Sequence, residues 1–441
     1  MNRSQHFCVV LLLLLPAAAL AEPQGKTSAD AVWLMTAAAL VFLMQAGFAF
    51  LESGMARAKN AVNVIMKNVL DLCIGSLVFW VVGYGLMFGR NESGLFGTSV
   101  FMPEHMTPFD YCFLLFQLMF AATSATIASG AMAERTRFAG YLVGAAFITG
   151  LIYPVLGSWI WGGYHGGQGW LQRLGFIDFA GSTVVHSTGA WCALAGILVV
   201  GPRLGRFPRS GSPRNLPGHN LALVALGGFI LWFGWFGFNG GSTLTANLDI
   251  GRINLNTQMA GSAGAVGAML GSALLRQPLL LTQIINGMLG GLVAVTAGCA
   301  TMLPGFAVLT GLMAGIIVVL GTRLLDRLRL DDVVGAIPVH GFCGMWGTLA
   351  AGLFFDGDLF NGTRVLVQLV GIFACLAWVL SSALLMYGLI ERTIGLRAGA
   401  LHEQRGLDIT EHAEIGYPEF ARPSVYDSET LEQLSRQAAR S

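Results

Sequence analysis

The chain has 441 residues, 54% of them hydrophobic and 11% charged, with a mean hydropathy of +0.65 and a formal net charge of +1. A soluble fold of this composition would expose a large apolar surface, and the balanced charge lacks the basic face of a nucleic-acid binder. Such a chain reads as an all-α polytopic membrane protein, with lipid around it and no nucleic-acid partner.

Residues 1–21 carry Arg3, run apolar from Val9 to Leu20, and end in Ala19-Leu20-Ala21 before Glu22. That pattern predicts a signal peptide cleaved after Ala21, since the run is short for a crossing of about 20 residues. Apolar segments then recur at 31–54, 63–89, 109–132, 138–161, 178–201, 219–239, 254–275, 280–300, 303–325, 333–355 and 364–390. They predict an eleven-span domain over 30–391, followed by a tail over 392–441. With the N-terminus outside, the inner loops hold Arg57, Lys59, Arg135, Arg137, Arg203, Arg206, Arg209, Arg214, Arg276, Arg323, Arg327 and Arg329. The outer loops hold only Arg90, Arg173, Arg252 and Arg364. The positive-inside rule therefore puts the tail in the cytoplasm of a cell-membrane protein.

The seven cysteines lie in apolar segments without C-x-x-C pairs and read as reduced packing residues, so no disulfide framework or metal site is expected. Glycines four apart, at Gly140 and Gly144, Gly267 and Gly271, Gly287 and Gly291, Gly311 and Gly315, predict close helix approach in lipid. Asn91-Glu92-Ser93 and Asn361-Gly362-Thr363 match the glycosylation pattern, which is common by chance.

One spacing occurs twice. In Asp178-Phe179-Ala180-Gly181-Ser182-Thr183-Val184-Val185-His186 and in Asp332-Val333-Val334-Gly335-Ala336-Ile337-Pro338-Val339-His340, Gly follows Asp by three and His by eight. The copies open the fifth and tenth spans, whose helices run in opposite directions, which predicts an inverted repeat of spans one to five and six to ten plus an eleventh. Eight residues of helix rise about 12 Å, so His186 and His340 meet near the midplane. An imidazole there costs about 3 kcal/mol and needs a partner. The obvious partner is the other imidazole, and a neutral pair still offers one donor and one acceptor. A structural pair and bis-histidine haem ligation are the rivals; two intramembrane histidines are few for a haem protein of this size, and no cofactor is expected.

An Asp at a helix start is most often an N-cap, which suffices for Asp332. Asp178 shares the outer half with Phe116, Phe120, Trp161, Phe238 and Ser242, where an arriving cation would meet aromatic faces and a hydroxyl, at about 0.5–2 kcal/mol per contact. Singly, each aromatic reads as core or interfacial belt.

Arg57-Ala58-Lys59-Asn60, Ala133-Glu134-Arg135, Asp178 to Gly181 with His186, Gly234-Trp235-Phe236-Gly237-Phe238-Asn239 with Gly241-Ser242, Val339-His340-Gly341, Gly395-Leu396-Arg397 and Gly406-Leu407-Asp408 together resemble the ammonium transporter family (Amt/MEP, related to Rhesus proteins) over about residues 30–420. The resemblance implies an ammonium or ammonia channel rather than an enzyme, with methylammonium as a further candidate substrate. It implies an outer recruitment site of Trp161, Phe120 and Ser242, with Phe116 at the vestibule rim. Phe120 and Phe238 would form a gate, His186 and His340 a pore, and Asp178 would shape the outer site through backbone contacts. It also implies a homotrimer and, in bacterial members, a PII-type regulatory protein on the cytoplasmic face. Glu52 departs from the family pattern and is expected at the inner interface, with pairing to Lys67 as the rival. His165 and the extra glycines of loop 162–169 alter the vestibule, and Asp332-Val333 replaces a common Asp-Pro. An ammonium sensor on the same scaffold is the second reading, weakened by the absence of an output domain after residue 420, and Rhesus-like gas conduction is disfavoured by Trp161.

Overall fold

The computed structural model describes residues 25–418 and Arg436, so the expected signal peptide lies outside the described residues. The chain is helical, and among the described residues extended backbone pairs only at two isolated bridges, Asn91 with Gly167 and Thr136 with Arg397. Among the described residues, eight helices are long and apolar enough to cross a membrane: α1 (Ser28–Met55), α2 (Ala58–Phe88), α3 (Pro108–Ala131), α4 (Phe138–Trp161), α5 (Ser182–Val200), α6 (Leu221–Gly241), α9 (Pro304–Arg327) and α11 (Gly362–Thr393). The remaining expected segments fall on α7 (Asp249–Leu274), α8 (Leu281–Val295) and α10 (Ile337–Phe342 continued by Cys343–Leu353). The first turns of α7 are polar, with Asp249, Arg252, Asn254 and Asn256. Helix α8 has 15 residues, about 22 Å of rise against a hydrocarbon core of about 30 Å.

Helix α1 lies along α6, and α7 packs against both α8 and α9. The glycine spacing explains how closely the second group approaches. A Cβ on Gly315 would stand 2.0 Å from the Gly264 carbonyl oxygen, and one on Gly311 or Gly291 would stand 2.2 Å from that of Ala260. These helices touch backbone to backbone, the contact that small residues permit in lipid. Gly315→Ala is expected to cost about 1–3 kcal/mol by overpacking, read as a lower thermal midpoint in detergent. Gly388→Ala, where nothing lies within 4 Å, is expected to leave the midpoint unchanged or raised.

At one end of the bundle, Arg203 bridges Glu134 at 2.6 Å and Asp331 at 2.9 Å, and Arg57 also pairs with Glu134. Burial would raise the Asp331 carboxyl, but hydrogen bonds from Arg203 and the charges of Arg135 and Arg203 outweigh it and bring it down to about 2. The tail helices α12 (Ala400–Arg405) and α13 (Leu407–His412) latch onto this end. Asp408 accepts the N–H groups of Val62 and Asn63, Lys59 donates to the carbonyls of Glu403 and Gln404, and Glu403 accepts from Leu204 and Arg397.

The expectation for Glu52 changes. Glu52 is 1% exposed rather than interfacial, because the Asn68 amide at 2.9 Å solvates its carboxylate inside the bundle. It forms no ion pair with Lys67, whose ammonium donates to the Thr136 carbonyl at 3.3 Å and lies over the Tyr141 ring. Asn91 is fully buried and holds Ser158 and the Gly94 N–H, so its amide is not a free sugar acceptor.

Candidate functional site

The repeated spacing has one local cause in both copies. The Asp178 carboxylate accepts the N–H groups of Gly181, Thr183 and Val184 at 3.0, 2.9 and 2.8 Å. Asp332 does the same for Gly335, Ala336 and Ile337 at 2.9, 3.0 and 2.8 Å. Gly181 and Gly335 have φ of +113° and +79°, the left-handed region that glycine enters without strain. Each capped turn then opens into a wide π-type turn, Ser182–Ser187 and Ile337–Phe342, a geometry enriched at functional sites. The two wide turns meet at the centre of the bundle and carry His186 and His340.

There the imidazoles face each other, Nδ1 to Nδ1, at 3.3 Å, with ring centroids 5.3 Å apart. One Nδ1 donates to the other, so the pair presents one free acceptor and one free donor at its two Nε2 atoms. His186 is fully buried and its Nε2 has no hydrogen-bond partner among the described residues. A hydrogen-bonding contact of this length leaves no room for a haem iron between the facing nitrogens. Trp235 at 5.2 Å and Phe238 at 5.4 Å stack on the His186 ring.

Phe238 also stacks on Phe120, at 4.0 Å between centroids and 14° between planes. Phe120, backed by Phe238, lines a recess of about 420 Å³ whose walls also include Trp161, Ser242, Gln117, Tyr164 and Phe179. The Trp161 indole lies edge-on to Phe120 at 6.3 Å and donates to the Asp178 carbonyl at 2.7 Å. Ser242 Oγ spends its hydrogen on the Phe238 carbonyl at 2.8 Å, which leaves its lone pairs for a donor in the recess. Trp161, Phe120 and Ser242 thus come together as expected. Phe116 does not reach the rim: it is fully buried, 4.6 Å from Phe120 and against Gly241, as a backing for the ring pair.

Sequence reasoning missed Tyr164. Its ring stacks on Phe113 at 3.9 Å and 4°, and its hydroxyl donates to Asp110 at 2.7 Å. His165 beside it shares a hydrogen bond with Tyr84 at 2.9 Å, and burial holds its imidazole below the ordinary value against the opposing pull of Asp110. Gly163, Gly166 and Gly167, all at positive φ, fold loop 162–169 down as a wall of the recess. On the far side of His340 lies a small cavity of about 20 Å³ whose lining includes Phe48, Glu52 and Asn286.

The family described as Ammonium Transporter Family matches residues 32–417. Ammonium transporter Amt2 of Archaeoglobus fulgidus is 43% identical, over 93% of this chain and 95% of its own length. A solved structure titled Sensor Amt Protein superposes with a TM-score of 0.84 at 39% identity, covering 87% of this chain and 98% of that one. Mep2 of Candida albicans superposes with a TM-score of 0.78 at 28% identity, covering 90% and 92%. The fold, the paired histidines beneath stacked phenylalanines and these likenesses make the chain a member of the ammonium transporter family, a multi-pass membrane transport protein rather than an enzyme.

Proposed function

We propose that the protein holds ammonium in the recess of Trp161, Phe120 and Ser242, strips its proton at the Phe120–Phe238 pair, and passes ammonia along His186 and His340 to the cytoplasm. The observation that carries this reading is the unbroken sequence of rings from recess to imidazole pair: Trp161 to Phe120 at 6.3 Å, Phe120 to Phe238 at 4.0 Å, Phe238 to His186 at 5.4 Å. Aromatic faces stabilise a cation at about 0.5–2 kcal/mol each, yet a fully closed apolar ring pair is costly for a charge to cross. Only a species that can leave its charge behind passes readily. Ammonium has a proton to give and potassium has none.

In this reading the chain crosses the membrane eleven times as an inverted five-plus-five repeat with one helix added, after removal of residues 1–21. The N-terminus lies outside, and the latch of Lys59, Glu403 and Asp408 lies in the cytoplasm. A homotrimer, with a PII-type protein acting on the latched face, completes the proposal. Methylammonium, one methyl larger, is a further candidate for the recess. The likeness to a structure titled as a sensor favours a second reading, in which the same site reports ammonium and transport is secondary.

Proteoliposomes given an ammonium pulse decide between them. Transport predicts a saturable uptake signal, read as a current or as an internal pH change, and no response to an equal potassium pulse. A response to both ions, or to neither, would overturn the reading.

A further inference from the structure

The small cavity beyond His340 is not inert. Its volume of about 20 Å³ exceeds the roughly 10–15 Å³ that one water molecule needs and leaves no room for a hydrated ion. Most of its walls are apolar, from Phe48, Leu51, Ile127, Leu231, Leu289 and Val339, but three polar groups line it: His340, Glu52 and Asn286. Glu52 is a carboxylate 1% exposed. Asn68 Nδ2 donates to its Oε2 at 2.9 Å, and the Ser129 hydroxyl lies within reach of the carboxylate. Asn286 is 8% exposed; its Nδ2 donates to the Val334 carbonyl at 2.9 Å, which assigns the amide orientation and leaves Oδ1 without a partner. A buried amide oxygen left unpaired costs about 1–3 kcal/mol unless an occupant donates to it. Asn286 also lines a second cavity, with Gln283, Thr322, Arg323 and Asp326, that leads on toward the tail end of the bundle.

A carboxylate oxygen, an amide oxygen and an imidazole around a water-sized space suit a small monovalent cation with four N–H donors. We propose that this chamber is a second, inner ammonium site, in which Glu52 returns a proton to ammonia that has passed the histidine pair, and Glu52 with Asn286 then holds the ion.

The step balances. The ammonia lone pair forms the fourth N–H bond as the Glu52 O–H bond breaks, leaving ammonium beside the carboxylate. The proton that restores Glu52 is the one ammonium lost at the outer ring pair, handed along His186 and His340. Asn286, standing between the two cavities, accepts from the ion as it leaves. The proposal rests on the transport reading, and it gives the buried Glu52 a role that packing does not.

The test uses the full-length protein and thallium(I), an anomalously scattering monovalent cation close to ammonium in size. Crystals of the wild type soaked in thallium are expected to show a peak in the chamber beside Glu52 and Asn286, and Glu52→Gln, which keeps the shape and the Asn68 contact, is expected to lose it. In proteoliposomes Glu52→Gln is expected to lower ammonium transport about 100-fold or more, the low end for loss of a proton-transfer group. Asn286→Leu should weaken the thallium peak. An empty wild-type chamber, or a peak unchanged in Glu52→Gln, overturns the inner site even if the wild type transports normally. Transport at the wild-type rate in Glu52→Gln overturns the proton-return step. A wild type that does not transport overturns the transport reading instead, while a Glu52-dependent thallium peak in that protein still supports the ion site.

Discussion

Leucine at both His186 and His340 is expected to abolish ammonium uptake in proteoliposomes, by about 100-fold or more, or to abolish its discrimination against potassium. The pair places imidazole nitrogens directly beneath the Phe120–Phe238 rings, with His186 stacked on Phe238 at 5.4 Å and touching His340 at 3.3 Å. Proton transfer by a positioned side chain is worth about 10²–10⁴ in rate, which sets the size of the loss if deprotonation is coupled to the imidazoles. Leucine fills a similar volume, so the path stays narrow and the variant isolates chemistry from packing. Single replacements should be less severe where the remaining ring keeps a donor or acceptor in the pore. Wild-type rate together with wild-type selectivity in the double variant would show that the imidazoles are only packing.

The second large effect belongs to Asp178, whose carboxylate faces backbone N–H groups rather than the recess. Its carboxylate accepts three buried N–H groups at the mouth of the wide turn that carries His186, and its carbonyl oxygen holds the Trp161 indole. Asp178→Ala strands those donors at about 1–3 kcal/mol each, several kcal/mol in total, enough to unfold the turn locally. Transport is expected to fall below about a tenth of wild type, and the amides of Gly181, Thr183 and Val184 are expected to lose hydrogen-exchange protection. Asp178→Asn keeps one acceptor oxygen and should retain part of both. Undiminished protection in the alanine variant would remove Asp178 from the account of the site. Loss of protection with full transport would separate the cap from function.

Much of this was legible because the repeated Asp-Gly-His spacing encodes a backbone device: a capping carboxylate, a glycine at positive φ and a histidine on the turn that follows. Depth along a helix follows from residue count, so the outer level shared by Trp161, Phe120 and Phe238 and the deeper level of the two histidines could be read from the chain. Rotation about the helix axis could not. Phe116 lies one turn from Phe120 and at similar depth, yet it is turned inward behind the ring pair, because which face meets a neighbour is decided by packing between helices distant in sequence. Glu52 misled for a related reason. A carboxylate three residues from the end of α1 resembles an interfacial residue, and the Asn68 amide that makes its burial tolerable comes from another helix. Tyr164 was hidden by its setting among glycines, whose positive φ values fold the loop inward in a way that composition does not announce.

The Nδ1 to Nδ1 contact has a consequence for timing. A proton delivered to Nε2 of one imidazole and released from Nε2 of the other leaves both tautomers exchanged, so the shared hydrogen bond points the opposite way afterwards. The pair cannot take a second proton in the same sense until it is reset. Ring rotation would do this, but His186 is clamped in a stack with Trp235 at 5.2 Å and Phe238 at 5.4 Å. In the proposed proton path the two imidazoles would therefore act as a latch with a refractory interval after each turnover rather than as a continuous wire.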